Sequence, residues 1–241
     1  MSSITPTVRQ YSLPELTQRQ RVVIVGTGET AAVAFGYFNS DTSHEIVAFS
    51  TEVRFLTMDV YCGLPVVPFE ELADFYSPAD TRLYVAVSYV QLNRIRRRLY
   101  LSAKAAGFDC VSYISSNAMV ASDVEIGENS FVQEHVVLSS GARIGDNVFL
   151  GSGTSVGYRS VVEADCYLGG HATVGYSCHV GRGSFLGVGS CVADGHAVAE
   201  DCIIGAGAVM LKDTVAGRVY LGNPARSLPR DSFTTFGFNP T

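Results

Sequence analysis

Residues 124–213 read "VEIGEN SFVQEH VVLSSG ARIGDN VFLGSG TSVGYR SVVEAD CYLGGH ATVGYS CHVGRG SFLGVG SCVADG HAVAED CIIGAG AVMLKD", six-residue units that follow one another without a gap. The third residue of every unit is Ile, Val, Leu or Met, fifteen times in succession from Ile126 to Met210. At a frequency of roughly 0.3 per position, chance produces such a run about once in 10⁸ trials. Nine of the fifteen fourth positions are Gly, and the first positions are mostly small or β-branched. An α-helix repeats every ~3.6 residues and a strand every ~2, so neither yields a strict six. A parallel β-helix does: each short strand sends one aliphatic side chain inward, and a glycine-rich corner turns the chain onto the next face. With three faces to a coil, the fifteen units make five coils, and the phase extends back through Val120 and Ile114.

Upstream the pattern changes. "RVVIVGTGETAAVAFGYF" from Arg21 is a β-branched run that ends in Gly-Thr-Gly and passes into an Ala-rich helical segment. "HEIVAFS", "LYVAVSY" and "FDCVSYI" read as further strands, and "QLNRIRRRLYLSAKAAG" has helical spacing with Leu92, Ile95, Leu99 and Ala103 on one side. Strands alternating with helices predict a small parallel sheet of Rossmann-like type. The expected organisation is an N-terminal extension (1–19), an α/β domain (20–112), a β-helix domain (113–228) and a C-terminal tail (229–241). "GTGETA" is an incomplete GxGxxG, with Gly26 and Gly28 present and Ala31 in the third place. Such a turn either presents backbone N–H groups to a phosphate or is simply tight.

The bulk numbers exclude other classes. An apolar content of 47% against 17% charged residues provides for a sizeable core, and a net charge of −6 argues against nucleic acid as a partner. The cluster Arg94, Arg96, Arg97 and Arg98 reads first as a solvated helix face. No apolar run approaches the ~20 residues of a membrane span, and "MSSITPTVRQYSLPELTQRQ" holds no hydrophobic stretch of signal-peptide type. Six cysteines without a CxxC pair fit a reduced, cytoplasmic protein, and Cys166, Cys178 and Cys202 read as small filler at one position of the repeat.

The hexads followed by "VAGRVYLGNPAR" resemble the left-handed β-helix acyltransferases. The layout "VVIVGTG", "GLPVVPFEEL", "VAVSYVQLNRIRRRLYLSAKAAGF", then hexads, is similar to the sialic-acid O-acetyltransferase and bacillosamine-type sugar N-acetyltransferase family over about residues 20–228. That resemblance implies a homotrimer that uses acetyl-CoA as co-substrate on a sugar, often nucleotide-linked, for surface-glycan and polysaccharide biosynthesis. It implies a nucleotide held by the N-terminal domain through Gly26, Thr27 and Gly28, with Asn93 and Arg96 nearby. It further implies a CoA groove between neighbouring subunits lined by Gly187, Gly205, Ala206, Lys212 and Arg226. One departure matters. Where family members carry a catalytic histidine this chain has "GYRS", with Tyr158 at the histidine's position. A second family histidine falls near Tyr167 or at His171, the latter favoured by "LGGHATVG".

Coil arithmetic ranks the remaining groups. His135 and His171 differ by two coils and share one corner, about 9.5 Å apart, with Gly153 and Gly189 in the adjoining coils. Glycine neighbours leave open space, as a substrate cleft requires. Tyr158 and Tyr176 stack by the same rule and serve as pocket walls. His171 is the first choice of base, with a corner or interface role as its alternative; His135, next to Glu134, reads first as structural. His179 and His196 read as surface and packing residues, and no metal is expected, because His171 and His179 are eight residues apart on different faces. A sugar hydroxyl needs a positioned base, whereas a neutral amine is already a nucleophile, so a site without the usual histidine favours N-acylation. The function expected is acetyl transfer from acetyl-CoA to a nucleotide-linked amino sugar. Its rivals are O-acetylation or transfer of another acyl group, and a non-catalytic binding relative that lost its base.

Overall fold

The computed structural model describes residues 19–238. The N-terminal extension apart from Arg19, and the last three residues of the tail, lie outside the described residues. The first half holds β1 (Arg21–Val25), α1 (Glu29–Asp41), β2 (Glu45–Thr51), β3 (Val60–Tyr61), β4 (Leu64–Pro68), α2 (Leu72–Phe75), β5 (Thr81–Val85) and α3 (Arg94–Ala105). Its sheet has the order β3-β4-β2-β1-β5. All pairs are parallel except β3 with β4, so the expected parallel sheet is mixed, closed at one edge by a hairpin around Cys62 and Gly63. Val22–Val25 on β1 are buried on both faces, as a central strand between helices requires.

Two expected elements come out differently. The strand read in "LYVAVSY" stops at Val85, and beyond it Gln91, Leu92 and Asn93 take φ values of 53°, 52° and 62°. "FDCVSYI" divides: Cys110 makes one isolated bridge to Leu83, while Tyr113–Ile114 is the first rung of the β-helix. The chain crosses from one architecture to the other within three residues.

The second half winds as the hexads predict. Two-residue rungs pair in parallel with rungs eighteen residues away on three faces. The first face begins at Tyr113–Ile114, the second at Met119–Val120 and the third at Glu125–Ile126. All fifteen third-position side chains from Ile126 to Met210 are buried, forming one axial core with Cys166, Cys178 and Cys202 as filler beside them. The glycines divide by role. Fourth-position glycines permit close coil contact: a Cβ on Gly145 would fall 2.5 Å from the backbone nitrogen of Ala164. Positive φ belongs to the sixth position instead, where Asn, Asp, His and Gly predominate, residues that tolerate the left-handed conformation.

The two halves are joined along the first face and the adjoining third–first edge. Second-position aromatics Tyr113, Phe131, Phe149, Tyr167 and Phe185 form a column; the last three gaps have centroid separations of 5.7, 4.6 and 5.2 Å and planes within 6°. Tyr37, Phe38 and Tyr84 of the α/β half pack on the column's lower part and Tyr89 on its upper part. On the edge, Asn129 Nδ2 donates to Asn147 Oδ1 and Asn147 Nδ2 to Asp165 Oδ1, both at 2.8 Å, and Val85 N–H donates to Asn129 Oδ1 at 2.7 Å. Three of the four clustered arginines dock here rather than facing solvent: Arg94 pairs with Asp201 at 2.6 Å, Arg97 with Asp165 at 3.4 Å, and Arg96 is buried, while Arg98 stays exposed and pairs with Glu52 of the α/β half at 2.8 Å. Their partners on the coils lie 51 to 107 residues away in the chain, so local spacing gave no sign of them. The tail folds back on the same chain, with Phe233, Phe236 and Phe238 packed around Leu92, Ile203 and Val219.

Candidate functional site

The residues expected to form one pocket occupy two edges of the prism. His135, His171, Gly187, Gly205 and Ala206 lie on the first–second edge; Tyr158, Tyr176 and Lys212 lie on the second–third edge. The strand Thr173–Val174 separates His171 from Tyr176, about 16 Å of extended backbone. Within one chain, therefore, His171 and the two tyrosines do not meet.

On the first–second edge both histidines have positive φ, 60° at His135 and 58° at His171, and both are exposed. Histidine is enriched in this conformation, so the corner accounts for its presence without chemistry. The expected open space exists on one side only. A Cβ on Gly153 would fall 2.5 Å from Nδ1 of His171, so the imidazole itself lies over Gly153; at Gly189 a Cβ meets nothing within 4 Å. Below His171 lies a polar cluster that sequence reasoning did not assemble. Glu134 accepts from Ser152 Oγ and, at 2.7 Å, from the Tyr37 hydroxyl. Gln133 joins it through Tyr37 and the Ser152 N–H. The Ser152 hydrogen bond, aided by that of Tyr37, holds the Glu134 carboxyl below its ordinary range, while burial and then Glu134 raise the Tyr37 hydroxyl.

These contacts also orient α1. Asp41 accepts from the Tyr113 hydroxyl and Ser116 N–H in the first coil, and Tyr37 reaches Glu134 in the second. Four residues of helix rise about 6 Å, slightly more than one coil of about 4.8 Å, so α1 runs along the prism axis. The Gly26–Gly28 loop precedes this helix. It follows β1 at the point where the sheet order changes direction between β1 and β5, with helix N–H groups open at the start of α1. Gly26 is required by contact, since a Cβ would fall 2.7 Å from the Ala86 carbonyl oxygen; Gly28 is exposed, and its carbonyl accepts from the Tyr61 hydroxyl at 3.1 Å.

Asn93 and Arg96 do not stand with that loop. Asn93 is fully buried and donates to the Asp165 carbonyl at 2.7 Å; Arg96 is 2% exposed and donates to the Asn147 carbonyl at 2.6 Å. Both are buried in the joint between the halves, which corrects their expected place beside a nucleotide. Of the residues expected to line a CoA groove, Gly187 allows close approach to Ala206, and Gly205 lies beneath Leu221. Arg226 is exposed on the strand Arg226–Asp231, opposite Leu221, and Lys212 is exposed on the other edge. Val188, 61% exposed, and Leu221, 44% exposed, add apolar surface to the His171 edge. Val188 was visible as an aliphatic fifth residue in "SFLGVG".

The other two histidines of the β-helix pair with carboxylates: His179 with Glu163 at 2.9 Å and His196 with Asp213 at 3.2 Å. Among the described residues no group of three or more His, Cys, Asp or Glu is placed to hold a metal ion, and no helix is long and apolar enough to cross a membrane.

The hexapeptide repeat of succinyl-transferase matches residues 141–169 and 178–212. No match is found among curated protein sequences. Among solved structures, perosamine N-acetyltransferase from Caulobacter crescentus, a variant in complex with CoA and GDP-perosamine, is 29% identical with a TM-score of 0.77, covering 87% of this chain and 97% of that one. The acetyltransferase domain of PglB from Neisseria gonorrhoeae, in complex with acetyl coenzyme A, is 26% identical with a TM-score of 0.75, covering 88% of this chain and 100% of that one. WeeI from Acinetobacter baumannii, at 19% identity and a TM-score of 0.64, shares the fold over 88% of this chain and its own whole length. The likeness thus extends over both halves and their joint as well as the repeats. By its hexads, its β-helix and the α/β half set against it, the chain is similar to hexapeptide-repeat acyltransferases that act on sugars.

Proposed function

We propose that the protein transfers the acetyl group of acetyl-CoA to the amino group of a nucleotide-linked sugar, as a cytoplasmic homotrimer supplying surface-glycan precursors. One observation carries this above the others: the two-part likeness to an enzyme whose structure holds CoA and GDP-perosamine together. In this reading the open N–H groups of the Gly26–Gly28 loop receive the nucleotide's phosphates. The first–second edge, with Gly187, Ala206, Val188 and Leu221, receives the pantetheine arm, and Lys212 and Arg226 its phosphates. Tyr158 and Tyr176, on the opposite edge, act from a neighbouring subunit as walls of the same cleft.

The neutral amine attacks the thioester carbonyl, backbone N–H groups at the glycine corners stabilise the oxyanion, and the CoA thiolate leaves. His171 accepts the proton the amine sheds. Tyr158 in place of the family's histidine favours an amine over a hydroxyl, because the amine needs placement more than deprotonation. The test supplies acetyl-CoA with a panel of nucleotide-linked amino sugars and follows free thiol. Release with none of them would refute the proposal. If release occurs, His171→Ala separates acceptors: a fall of about 10²-fold or more in kcat marks a hydroxyl, and a fall of less than about tenfold an amine.

A further inference from the structure

Arg159 stands where the chain has least reason to keep an arginine. Sixth positions from Asn129 to Gly207 all have positive φ, and they hold glycines, Asn, Asp, His and Ser, with Arg159 (φ 56°) as the one long side chain. A side chain in this conformation is retained against a backbone preference, which is a mark of functional positions. Its side chain is also placed. The stem rests on Gly141, where a Cβ would fall 3.2 Å from Arg159 Cγ, and the guanidinium lies 4.9 Å from the centroid of the Tyr158 ring. The other arginines of the β-helix coils, Arg143 and Arg182, pair with Glu125 and Asp165; among the described residues Arg159 has no carboxylate within ion-pair distance. Its near neighbour Asp123 is engaged by Ser140 Oγ at 2.8 Å and Gly141 N–H at 3.0 Å.

A pre-oriented, exposed and uncompensated guanidinium is suited to bidentate binding of an oxyanion. It sits one residue from Tyr158, which forms its shelf. We infer that Arg159 is a specificity residue that binds an oxyanion of the acceptor, either the nucleotide's diphosphate or a carboxylate on the sugar. The inference rests on the acetyltransferase reading for its substrate, and Tyr158 then serves as a platform for the arginine rather than as a base.

The experiment compares wild type, Arg159→Gln and Arg159→Lys as intact assemblies, with KM measured separately for acetyl-CoA and for the nucleotide-sugar acceptor that wild type turns over. Arg159→Gln is expected to raise acceptor KM about tenfold or more with kcat within about threefold and acetyl-CoA KM within about twofold. Arg159→Lys, which keeps the charge without the fork, is expected to recover part of the loss. The free nucleoside diphosphate, used as a competitive inhibitor, separates the two sources. Weaker inhibition of Arg159→Gln assigns the diphosphate, and unchanged inhibition with raised acceptor KM assigns a sugar carboxylate. An unchanged acceptor KM, or a loss confined to acetyl-CoA, overturns the assignment. If wild type turns over no acceptor, acetyl transfer itself has failed, and Arg159 is judged by calorimetry with pyrophosphate and malonate. Binding by wild type that Arg159→Gln loses then supports an oxyanion site, and equal binding or none overturns it.

Discussion

The imidazole of His171 fills the space that a side chain at Gly153 would occupy, one coil below it on the same edge. The two positions are therefore coupled. Gly153→Ala must displace the ring and also adopt a φ of 72° with a Cβ. A stability loss of about 1–2 kcal/mol is expected, together with a fall in kcat matching that of His171→Ala. A Gly153→Ala enzyme with normal turnover would show that the ring's resting place is irrelevant to catalysis.

The aromatic column predicts a cost for any gap in it. Phe149 is stacked on both sides, against Phe131 and Tyr167, and faces the core of the α/β half. Phe149→Ala is expected to destabilise by about 3–5 kcal/mol, with proteolytic cleavage rising first in residues 19–112. Urea unfolding followed together with limited proteolysis checks both, and a loss below about 1 kcal/mol would mean that the halves are held elsewhere.

Asn147 is the middle member of a buried ladder. Its amide donates to Asp165 and its side-chain oxygen accepts from Asn129, while Arg96 binds its backbone carbonyl regardless of side chain. Asn147→Ala leaves a buried amide and a buried carboxylate each short of a partner. A loss of about 2–4 kcal/mol is expected by chemical denaturation.

Much of this was legible in the sequence because one position repeated without exception. Ile126 to Met210 fixed an inside, and an inside on three faces leaves little freedom in the fold. The joint between the halves was written in the same period of eighteen, in the aromatics from Tyr113 to Phe185 and in Asn129, Asn147 and Asp165. It was missed because the outward positions of a repeat look like variable surface until something is known to cover them. The arginines misled for a related reason: helical spacing describes a helix's neighbours on itself, whereas Asp165 and Asp201 are brought to α3 by winding. The candidate site was harder still. His171 and Tyr176 are five residues apart in sequence yet sit on different edges, so proximity in the chain overstated proximity in space.

His44 predicts a pH dependence. Its Nδ1 is buried without a hydrogen-bond partner beside the Phe38 ring, and burial holds its pKa below the ordinary histidine value of 6.5. Between the folded and unfolded pKa values the unfolded chain binds more protons, so stability rises with pH in that window and falls as pH drops below about 6.5. A single group contributes at most about 1.4 kcal/mol per pH unit. His44→Gln, which does not titrate, is expected to remove that slope. Identical slopes in both proteins between pH 7 and 5 would assign the acid sensitivity to other groups.

The two kinds of corner glycine make opposite predictions for the same substitution. Gly145 has an ordinary φ, but a Cβ there would lie 2.5 Å from the nitrogen and 2.9 Å from the Cα of Ala164 in the next coil. Both contacts are backbone of a corner fixed by the parallel rungs Val161–Val162 and Tyr167–Leu168 on either side, so neither moves without separating the coils. Gly145→Ala is expected to cost about 3 kcal/mol or more. Gly195 has φ 74° and nothing within 4 Å of its Cβ position, so Gly195→Ala meets only the backbone preference, about 1 kcal/mol. Urea midpoints with unchanged slopes decide between them. If Gly195→Ala is the more damaging, positive φ rather than coil contact is what glycine supplies to this repeat.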